Sequence, residues 1–245
     1  MESRSFAPPE RLARWVGSLW TTRWDLRAEA SHPTEILSDP CVTVAFEAAS
    51  SRVVGVSTGL FRRELSGQGH IRALKLRPGA VRALIDVPAV SLTGRVVPFR
   101  QVFEGAPVGL EDAVVGAADD DAALDLIVSW LERTMPVRDD ADLRLAIALV
   151  DHAAKHPEIV TVERLVAAAG VSVRPLQRLF REFVGGTPKW VIRRLRLQEA
   201  AARIERGDRT LTEVAAELGY ADQAHLSRDF RAATGRSPRA FATLD

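Results

Sequence analysis

The chain has 245 residues, 47% hydrophobic and 27% charged, a globular composition that suffices for one large domain or two ordinary ones. No stretch approaches about 18 uninterrupted apolar residues, so we expect no membrane-bound segment. The N-terminus, MESRSFAPPERLARW, has no apolar run, which argues against a signal peptide. The single cysteine, Cys41, excludes an internal disulfide and suits a reducing compartment, so we predict a cytoplasmic protein.

The first hundred residues predict β-strands. TVAFEAA, RVVGVSTGLF and HIRALKLR are short apolar or alternating runs, separated by turn sequences such as Ser66–Gly69 and Arg77–Gly79. Many short strands with regular turns favour a β-barrel or a sandwich. Three tryptophans of this half are expected in the core or in the wall of a pocket: Trp15, Trp20 and Trp24.

The pattern changes to helical after about Leu110. AALDLIVSWLERT places Leu124, Ile127 and Leu131 on one helical stripe, which could pack on the strands, on the C-terminal half or on a second copy of the chain. MPVRDD, at 135–140, contains a proline and a charge cluster without periodicity and predicts a hinge. Beyond it we expect about seven helices and no strand.

Charge is concentrated in this helical half. The formal net charge is +4 from Ala141 to Asp245 and −3 over the first 140 residues. Between Arg174 and Arg196 the chain has seven basic residues and one acidic residue, Glu182. Such a stripe is typical either of a surface that binds an anionic partner or of a solvated helix face.

The helical half contains one unit twice. SVRPLQRLFREFVGGTPKW begins at Ser172, and DQAHLSRDFRAATGRSPRAF begins at Asp222. In the first unit Thr161 is predicted to cap a helix that Gly170 ends, and Ser172 to cap the next, with Pro175 in its first turn. The apolar positions of this second helix lie on one face: Leu176, Leu179, Phe180 and Phe183.

The second unit repeats this design at an offset of about fifty residues. Thr210 and Glu213 predict a capping box, Gly219 ends that helix, and Asp222 caps the following one. Two helices joined by a short turn with glycine form a helix-turn-helix, whose second helix enters the DNA major groove. A pair of amphipathic helices that never contacts DNA is the alternative, and the repetition of similar polar faces favours DNA.

Arginine can read guanine and glutamine can read adenine, so the outward side chains predict base contacts. The expected set is Arg174, Gln177 and Arg178 in the first unit, and Gln223, Ala224, Ser227 and Arg228 in the second. Capped helix starts and nearby cations predict phosphate contacts, although the same residues could begin helices buried in the domain. The expected phosphate set is Arg181, Thr187, Lys189, Arg231, Ser237 and Arg239.

Between the units, PKWVIRRLRLQEAAARIE predicts one helix from Pro188 to about Glu205, a rod of roughly 27 Å. Successive major-groove faces lie about 34 Å apart. The rod could therefore place two recognition helices in adjacent grooves of one duplex.

Together these segments resemble the DNA-binding domain of AraC/XylS-type bacterial transcription regulators. LVAAAGVSVRPLQRLFREFVGGTPKWVIRRLRLQEAAARI and TLTEVAAELGYADQAHLSRDFRAATGRSPRAF carry the resemblance. It implies a seven-helix domain, a transcription factor that is most often an activator, RNA polymerase as a partner, and the base-contacting positions given above. Ala224 departs from the family, in which many members carry a polar residue there, so we expect the first unit to dominate sequence choice.

The N-terminal half resembles the sensor domains of these regulators more loosely, through LKLRPGAVRALIDVPAVSLTGRVVPF. The resemblance implies a cupin-like β-barrel with trailing helices that binds a small effector, forms a homodimer, or does both. We therefore predict a two-domain α+β chain: a sensor at 1–135, a linker at 136–141 and an all-α double helix-turn-helix domain at 142–245.

Other chemistry is not indicated in the N-terminal half. His32 and His70 lack a metal-binding spacing and are expected at the surface or in turns, and no cofactor or catalytic motif is legible, so we predict no metal site and no enzyme. Cys41 lies at a predicted strand start, which favours a buried structural thiol over a reactive one. Two alternatives to an effector-responsive regulator stay open: a DNA-targeted enzyme or alkylation sensor that uses Cys41, and a regulator whose N-terminal half binds only protein.

Overall fold

The computed structural model describes residues 1–27, 31–207 and 209–242. Among these residues eight strands come first, interrupted before the last by two short 3-10 helices at Val81–Ala83 and Ala89–Leu92. The strands are β1 (Glu2–Phe6), β2 (Val16–Leu26), β3 (His32–Ile36), β4 (Thr43–Phe46), β5 (Arg52–Val54), β6 (Phe61–Leu65), β7 (Gly67–Leu76) and β8 (Val96–Pro98).

The strands form two antiparallel sheets. The large sheet has the order β1-β2-β7-β4-β5-β8, and β3 pairs with β6 in a small sheet. Within the described residues β1 and β8 are the edges of the large sheet, and their hydrogen bonds do not close it into a barrel. The sheet-rich N-terminal part is therefore confirmed, with open rather than closed pairing.

Ten α-helices follow in the described part of the chain. They are α1 (Phe99–Val102), α2 (Leu110–Gly116), α3 (Asp120–Thr134), α4 (Ala141–Lys155), α5 (Val162–Ala169), α6 (Val173–Phe183), α7 (Pro188–Arg206), α8 (Leu211–Glu217), α9 (Gln223–Thr234) and α10 (Pro238–Ala242). The seven from α4 onward agree with the number expected for the C-terminal half. None of the helices that the structure describes has both the length and the apolarity to cross a membrane.

One large core joins the sheet to the first half of the helical region. Helix α3 contributes Leu124, Ile127 and Leu131 to it, so its apolar stripe packs within the chain. Trp130 lies edge-on to Phe46 and Phe103, at ring-centroid distances of 6.1 Å and 5.1 Å. The same core continues through the buried faces of α4, α5 and α6 into the first half of α7.

Two smaller cores complete the packing. Residues of β2, β4 and β7, including Trp24 and Ile71, pack with Leu65 of the small sheet. The second half of α7 packs with α8 and α9 around Leu226 and Phe230, and Leu37 from the N-terminal part packs against this group. The boundary between the large core and this last core crosses α7 between Leu195 and Leu197.

A buried ionic network that the sequence did not predict fixes α3 to the large sheet. Arg72 of β7 is 3% exposed and donates to Asp120 at 3.1 Å and to the carbonyl of Val114 at 2.9 Å. Arg23 of β2 donates to the same carboxylate oxygen of Asp120, at 2.7 Å. The hydrogen bond from Arg23 is the largest cause that lowers the pKa of Asp120 to about 2, and the bond from Arg72 adds to it.

His70 also belongs to this region. It lies in strand β7, half-buried, with Nε2 3.1 Å from the carbonyl oxygen of Val115, so its predicted place at the surface or in a turn is wrong. His32 begins β3 and is exposed. The ring of Trp15 lies in the large core, whereas Trp24 also lines a cavity described below.

The N-terminal part contacts the end of the first repeated unit directly. Thr93 donates to the carbonyl of Gly185 at 2.6 Å, and Arg82 lies 3.4 Å from Glu182, the one acidic residue of the basic stripe. Gly185 has φ +84°, and a Cβ there would stand 2.8 Å from the Thr93 hydroxyl. Glycine is thus required at this turn both by backbone conformation and by close packing.

Candidate nucleic-acid interface

The first repeated unit is a helix-turn-helix made by α5 and α6. The Thr161 hydroxyl accepts from the Arg164 amide at 3.4 Å, and Gly170 ends α5 in the left-handed region at φ +64°. Ser172 stands at the N-cap of α6 without a side-chain capping hydrogen bond, so its capping role is positional only. Four apolar side chains of α6 are buried, as predicted: Leu176, Leu179, Phe180 and Phe183.

The opposite face of α6 is open to solvent. Arg174, Gln177, Arg178 and Arg181 are all exposed. Within the part of the chain that the structure describes, no ion pair or side-chain hydrogen bond engages any of them. Their donors are therefore available to a ligand without breaking a contact that holds the fold.

The second unit is a helix-turn-helix made by α8 and α9. Thr210 and Glu213 form the capping box: the Glu213 amide lies 3.2 Å from the Thr210 hydroxyl, and the Thr210 amide lies 2.7 Å from the Glu213 carboxylate. Gly219 has φ +69°, and Asp222 caps α9 by accepting from the His225 amide at 2.6 Å. The local signals in the sequence therefore produce the predicted turn.

The outer face of α9 is less well supplied with free donors. Gln223, Ala224 and Arg228 are exposed, and Ser227 is half-buried. The side-chain oxygen Oε1 of Gln223 already accepts from the Thr212 hydroxyl at 3.2 Å. Ala224 presents only a methyl group, so α9 offers fewer polar groups than α6.

The predicted phosphate contacts lie near these two helices. The hydroxyls of Thr187 and Ser237 cap α7 and α10, 3.2 Å from the Trp190 amide and 3.3 Å from the Ala240 amide. Lys189, Arg231 and Arg239 are exposed. The two hydroxyls thus already accept hydrogen bonds from their own helices. The three exposed cations give this surface its positive potential.

The linking helix α7 separates the two units, and its cations are used differently. It has 19 residues and a length of about 28 Å. Arg193 lies 2.7 Å from Asp229 of α9, and Arg196 stacks 3.9 Å from the centroid of the Tyr220 ring. Arg194 is 2% exposed and binds carbonyl oxygens of the N-terminal part. Three of the seven cations in the basic stripe are therefore engaged in contacts within the protein.

The N-terminal part contains an open cavity of about 680 Å³ between the two sheets. Its wall includes Trp24, Leu65 and Arg63, with the Arg63 guanidinium 5.7 Å from the Trp24 ring centroid and paired with Glu47. No group of three His, Cys, Asp or Glu side chains within the described residues is placed to hold a metal ion.

Cys41 lies outside this cavity and is buried. Desolvation raises the pKa of its thiol to about 12, because the thiolate would lose its hydration. The thiolate is the reactive form, so this environment suppresses reaction with electrophiles at neutral pH. The structure agrees with the buried position expected for Cys41.

Comparisons with known proteins match both parts of the chain. A helix-turn-helix domain family matches residues 165–243, and a domain of unknown function, DUF6597, matches residues 4–98. The HTH-type transcriptional activator RhaS of Salmonella arizonae is 30% identical over 155 residues, which cover 63% of this chain and 47% of the relative. The chain thus spans about half the length of the curated relatives it matches.

Two solved structures show partial similarity to this chain. A ToxT variant from Vibrio cholerae, solved in its apo form, covers 92% of this chain and 97% of its own, with a TM-score of 0.48 and 10% identity. An AraC-type regulator from Chromobacterium violaceum covers 39% of this chain and 89% of its own, with a TM-score of 0.36 and 23% identity. The matched helix-turn-helix family and the similarity to RhaS support the resemblance to AraC/XylS-type regulators that the sequence predicts.

Proposed function

We propose that the chain is a sequence-specific transcription regulator that binds double-stranded DNA through both helix-turn-helix units. The observation that carries the proposal is the solvent face of α6, where Arg174, Gln177 and Arg178 stand free of internal partners within the described residues. Arginine and glutamine have the donor geometry to read guanine and adenine edges. Burial of the opposite face keeps these side chains on a rigid support.

The length of the linking helix supports binding on one side of a duplex. Helix α7, which follows α6 and precedes the second unit, is about 28 Å long, close to the roughly 34 Å between successive major-groove faces. One chain could therefore occupy two half-sites without a second copy. In this arrangement α6 selects sequence, while α9, with Ala224 in a reading position and Gln223 partly engaged, adds weaker base contacts.

The remaining predicted contacts belong to the same proposal. Bases are contacted by Arg174, Gln177, Arg178, Gln223, Ala224, Ser227 and Arg228. Phosphates are contacted by Arg181, Thr187, Lys189, Arg231, Ser237 and Arg239. The first set should set sequence preference, and the second should raise affinity for any duplex in a salt-dependent way.

The N-terminal part is proposed to be the regulatory domain. Its open cavity between the two sheets is of a size that suits a small effector. We retain the division into a cupin-like sensor at 1–135, a linker at 136–141 and a DNA-binding domain at 142–245. Activation through RNA polymerase and formation of a homodimer extend the proposal, by analogy with relatives described as transcriptional activators.

Selection of bound duplexes from a random pool tests the proposal. We expect enrichment of a bipartite motif and an affinity that falls as salt rises, because phosphate contacts release counterions. Arg178→Ala is the matched variant, since it removes a base-reading side chain without removing an internal contact. A pool that stays unenriched would refute sequence-specific binding, and equal losses on selected and random duplexes would make Arg178 a phosphate contact only.

A ligand screen by thermal shift tests the regulatory part. A small molecule at about 100 times its dissociation constant should stabilise the protein by about 2.7 kcal/mol. A set of diverse small molecules that never stabilises the chain, together with a dimer in light scattering, would favour an N-terminal part that binds only protein.

A further inference from the structure

Carbonyl and carboxylate oxygens of the N-terminal part accept hydrogen bonds from the middle of α7. The Arg194 guanidinium donates to the carbonyl oxygens of Ser38, at 2.8 Å, and Gly59, at 2.9 Å. One helical turn further along, the side-chain amide of Gln198 donates to the backbone carbonyl of Leu37, at 3.2 Å, and to the Asp39 carboxylate, at 2.6 Å. All four acceptors lie in the segments that adjoin the small sheet, and we call β3, β6, residues 37–39 and Gly59 the clasp.

A third contact extends the clasp to the second helix-turn-helix. Glu35 of β3 lies 3.0 Å from Arg236, in the turn between α9 and α10, and 2.8 Å from Arg62 of β6. Leu37 packs against the core of the second unit. The clasp therefore contacts that unit through an ion pair and an apolar side chain, besides gripping the helix that leads to it.

The position of these contacts along α7 is informative. The first unit shares the large core with the N-terminal part, whereas the second unit has a core of its own, and the boundary passes between Leu195 and Leu197. Arg194 and Gln198 stand on either side of this boundary. Outside α7, the second unit also touches the first where Gly219 packs on Val160. A helix fixed on both sides of a boundary cannot bend there freely.

The contact between Arg194 and the clasp is buried inside the protein. Arg194 is 2% exposed, and burial lowers its pKa to about 10, so it stays charged at neutral pH while its N–H groups bind neutral carbonyls. A buried guanidinium is retained at a desolvation cost, which its hydrogen bonds to the clasp offset in part. Separating α7 from the clasp would expose or strand this charge, which opposes small displacements of the helix.

We infer that the clasp positions the second helix-turn-helix relative to the first, so that Arg194, Gln198 and Glu35 set the half-site spacing that the regulator accepts. The inference rests on the proposed function. An added base pair moves one half-site by about 3.4 Å and rotates it by roughly 35°, because the duplex turns once in about 10 base pairs. A rigidly held second unit cannot follow that movement, whereas a unit that pivots within α7 can follow part of it.

The test compares the full chain with the double variant Glu35→Gln/Gln198→Ala. Neither residue is in the proposed DNA-contacting set, and both side chains are only half-buried, so the variant should fold. Glu199→Gln is the matched control, because Glu199 lies beside Gln198 in α7 and pairs with Arg203 of the same helix. Arg194→Met is a second variant, which keeps an unbranched side chain and removes the buried charge that binds the clasp. We call it and the double variant the clasp variants.

Two measurements are made on each protein. The first is affinity for the selected duplex and for the same duplex with one base pair added or removed between the half-sites. We expect the wild type and Glu199→Gln to lose about tenfold or more on the altered spacings, and the clasp variants to lose about threefold or less. The second is amide hydrogen exchange without DNA, which should rise in α8 and α9 of the clasp variants and stay unchanged in α5 and α6.

Unchanged spacing discrimination together with unchanged exchange in the clasp variants would overturn the inference. Equal increases of exchange in both units would also overturn it, since they would show general destabilisation. A wild type that binds no duplex would refute the proposed function instead, and the exchange measurement would still decide whether the clasp holds the second unit.

Discussion

The network around Asp120 gives a prediction whose size can be worked from the structure. Asp120→Asn removes a carboxylate that accepts from Arg72, Arg23 and the Thr21 hydroxyl. In the folded protein the pKa of Asp120 falls from 3.8 to about 2, with the hydrogen bond from Arg23 as its largest cause. A lowering of that size corresponds to about 2.4 kcal/mol of folding free energy at neutral pH. Arg23 is 48% exposed, so solvent screening reduces its share and about 2 kcal/mol is the better expectation.

The asparagine variant also leaves Arg72 charged and buried. Breaking one partner of a buried ion pair costs about 3–5 kcal/mol in general. Arg72 keeps its hydrogen bonds to the carbonyls of Val114, Val115 and Ala117, which limits this cost. We therefore expect Asp120→Asn to lower the free energy of unfolding by about 3 kcal/mol in total at pH 7, the lower end of this range. Asp121→Asn, at the next and exposed position of α3, is the control and should cost less than about 0.5 kcal/mol.

The assay is urea unfolding of wild type and both variants from pH 7 to the lowest pH at which the wild type still folds. Because the folded pKa of Asp120 lies below its unfolded value, its contribution is present above about pH 4 and is lost as the pH falls toward 2. The difference between wild type and Asp120→Asn should therefore shrink by about 1 kcal/mol at pH 3. A difference that stays constant over this range would refute the assignment of the stability to the charged carboxylate.

Three further predictions follow from the sites. Arg178→Ala should cost about 1–3 kcal/mol on the selected duplex and relax preference at one base position, while thermal unfolding stays unchanged, as measured by competition binding and by the melting temperature. Cys41 should react with a thiol reagent at neutral pH only as fast as the chain unfolds, because the thiol is buried and its pKa is raised to about 12; fast labelling of the native protein would contradict this. Leu226→Ala, at a fully buried position of α9, should cost about 2–5 kcal/mol and abolish binding to the second half-site before the first, as footprinting would show.

The repeated units could be predicted from sequence because their signals are local. Thr210 and Glu213, which form the capping box, are three residues apart. Gly170 ends α5 by adopting the left-handed conformation at a single position. Each such signal acts within one turn of helix, so a pattern in the sequence and its geometry coincide. Ser172 is the exception, since a suitable residue at the N-cap makes no side-chain bond there.

The ionic contacts could not be predicted in the same way. Arg72 and Asp120 are 48 residues apart, and Arg194 binds Gly59 over 135 residues. In sequence, Arg194 is indistinguishable from Arg178, because both belong to one basic stripe on amphipathic helices. Only the pairing of strands and the placement of the small sheet decide that one arginine is enclosed and the other is free. The open pairing of the large sheet depends on the same long-range contacts.

The continuous large core also bears on how the chain can be divided. The first helix-turn-helix packs its apolar side chains into the same core as the strands, so a fragment that begins near residue 142 would leave part of that surface in water. Such a truncation should aggregate or repack, whereas removal of the residues after about 207 would cut into a separate core. The helical half is thus unequal in its independence: its first unit is thermodynamically part of the N-terminal part, and its second behaves as an appended module.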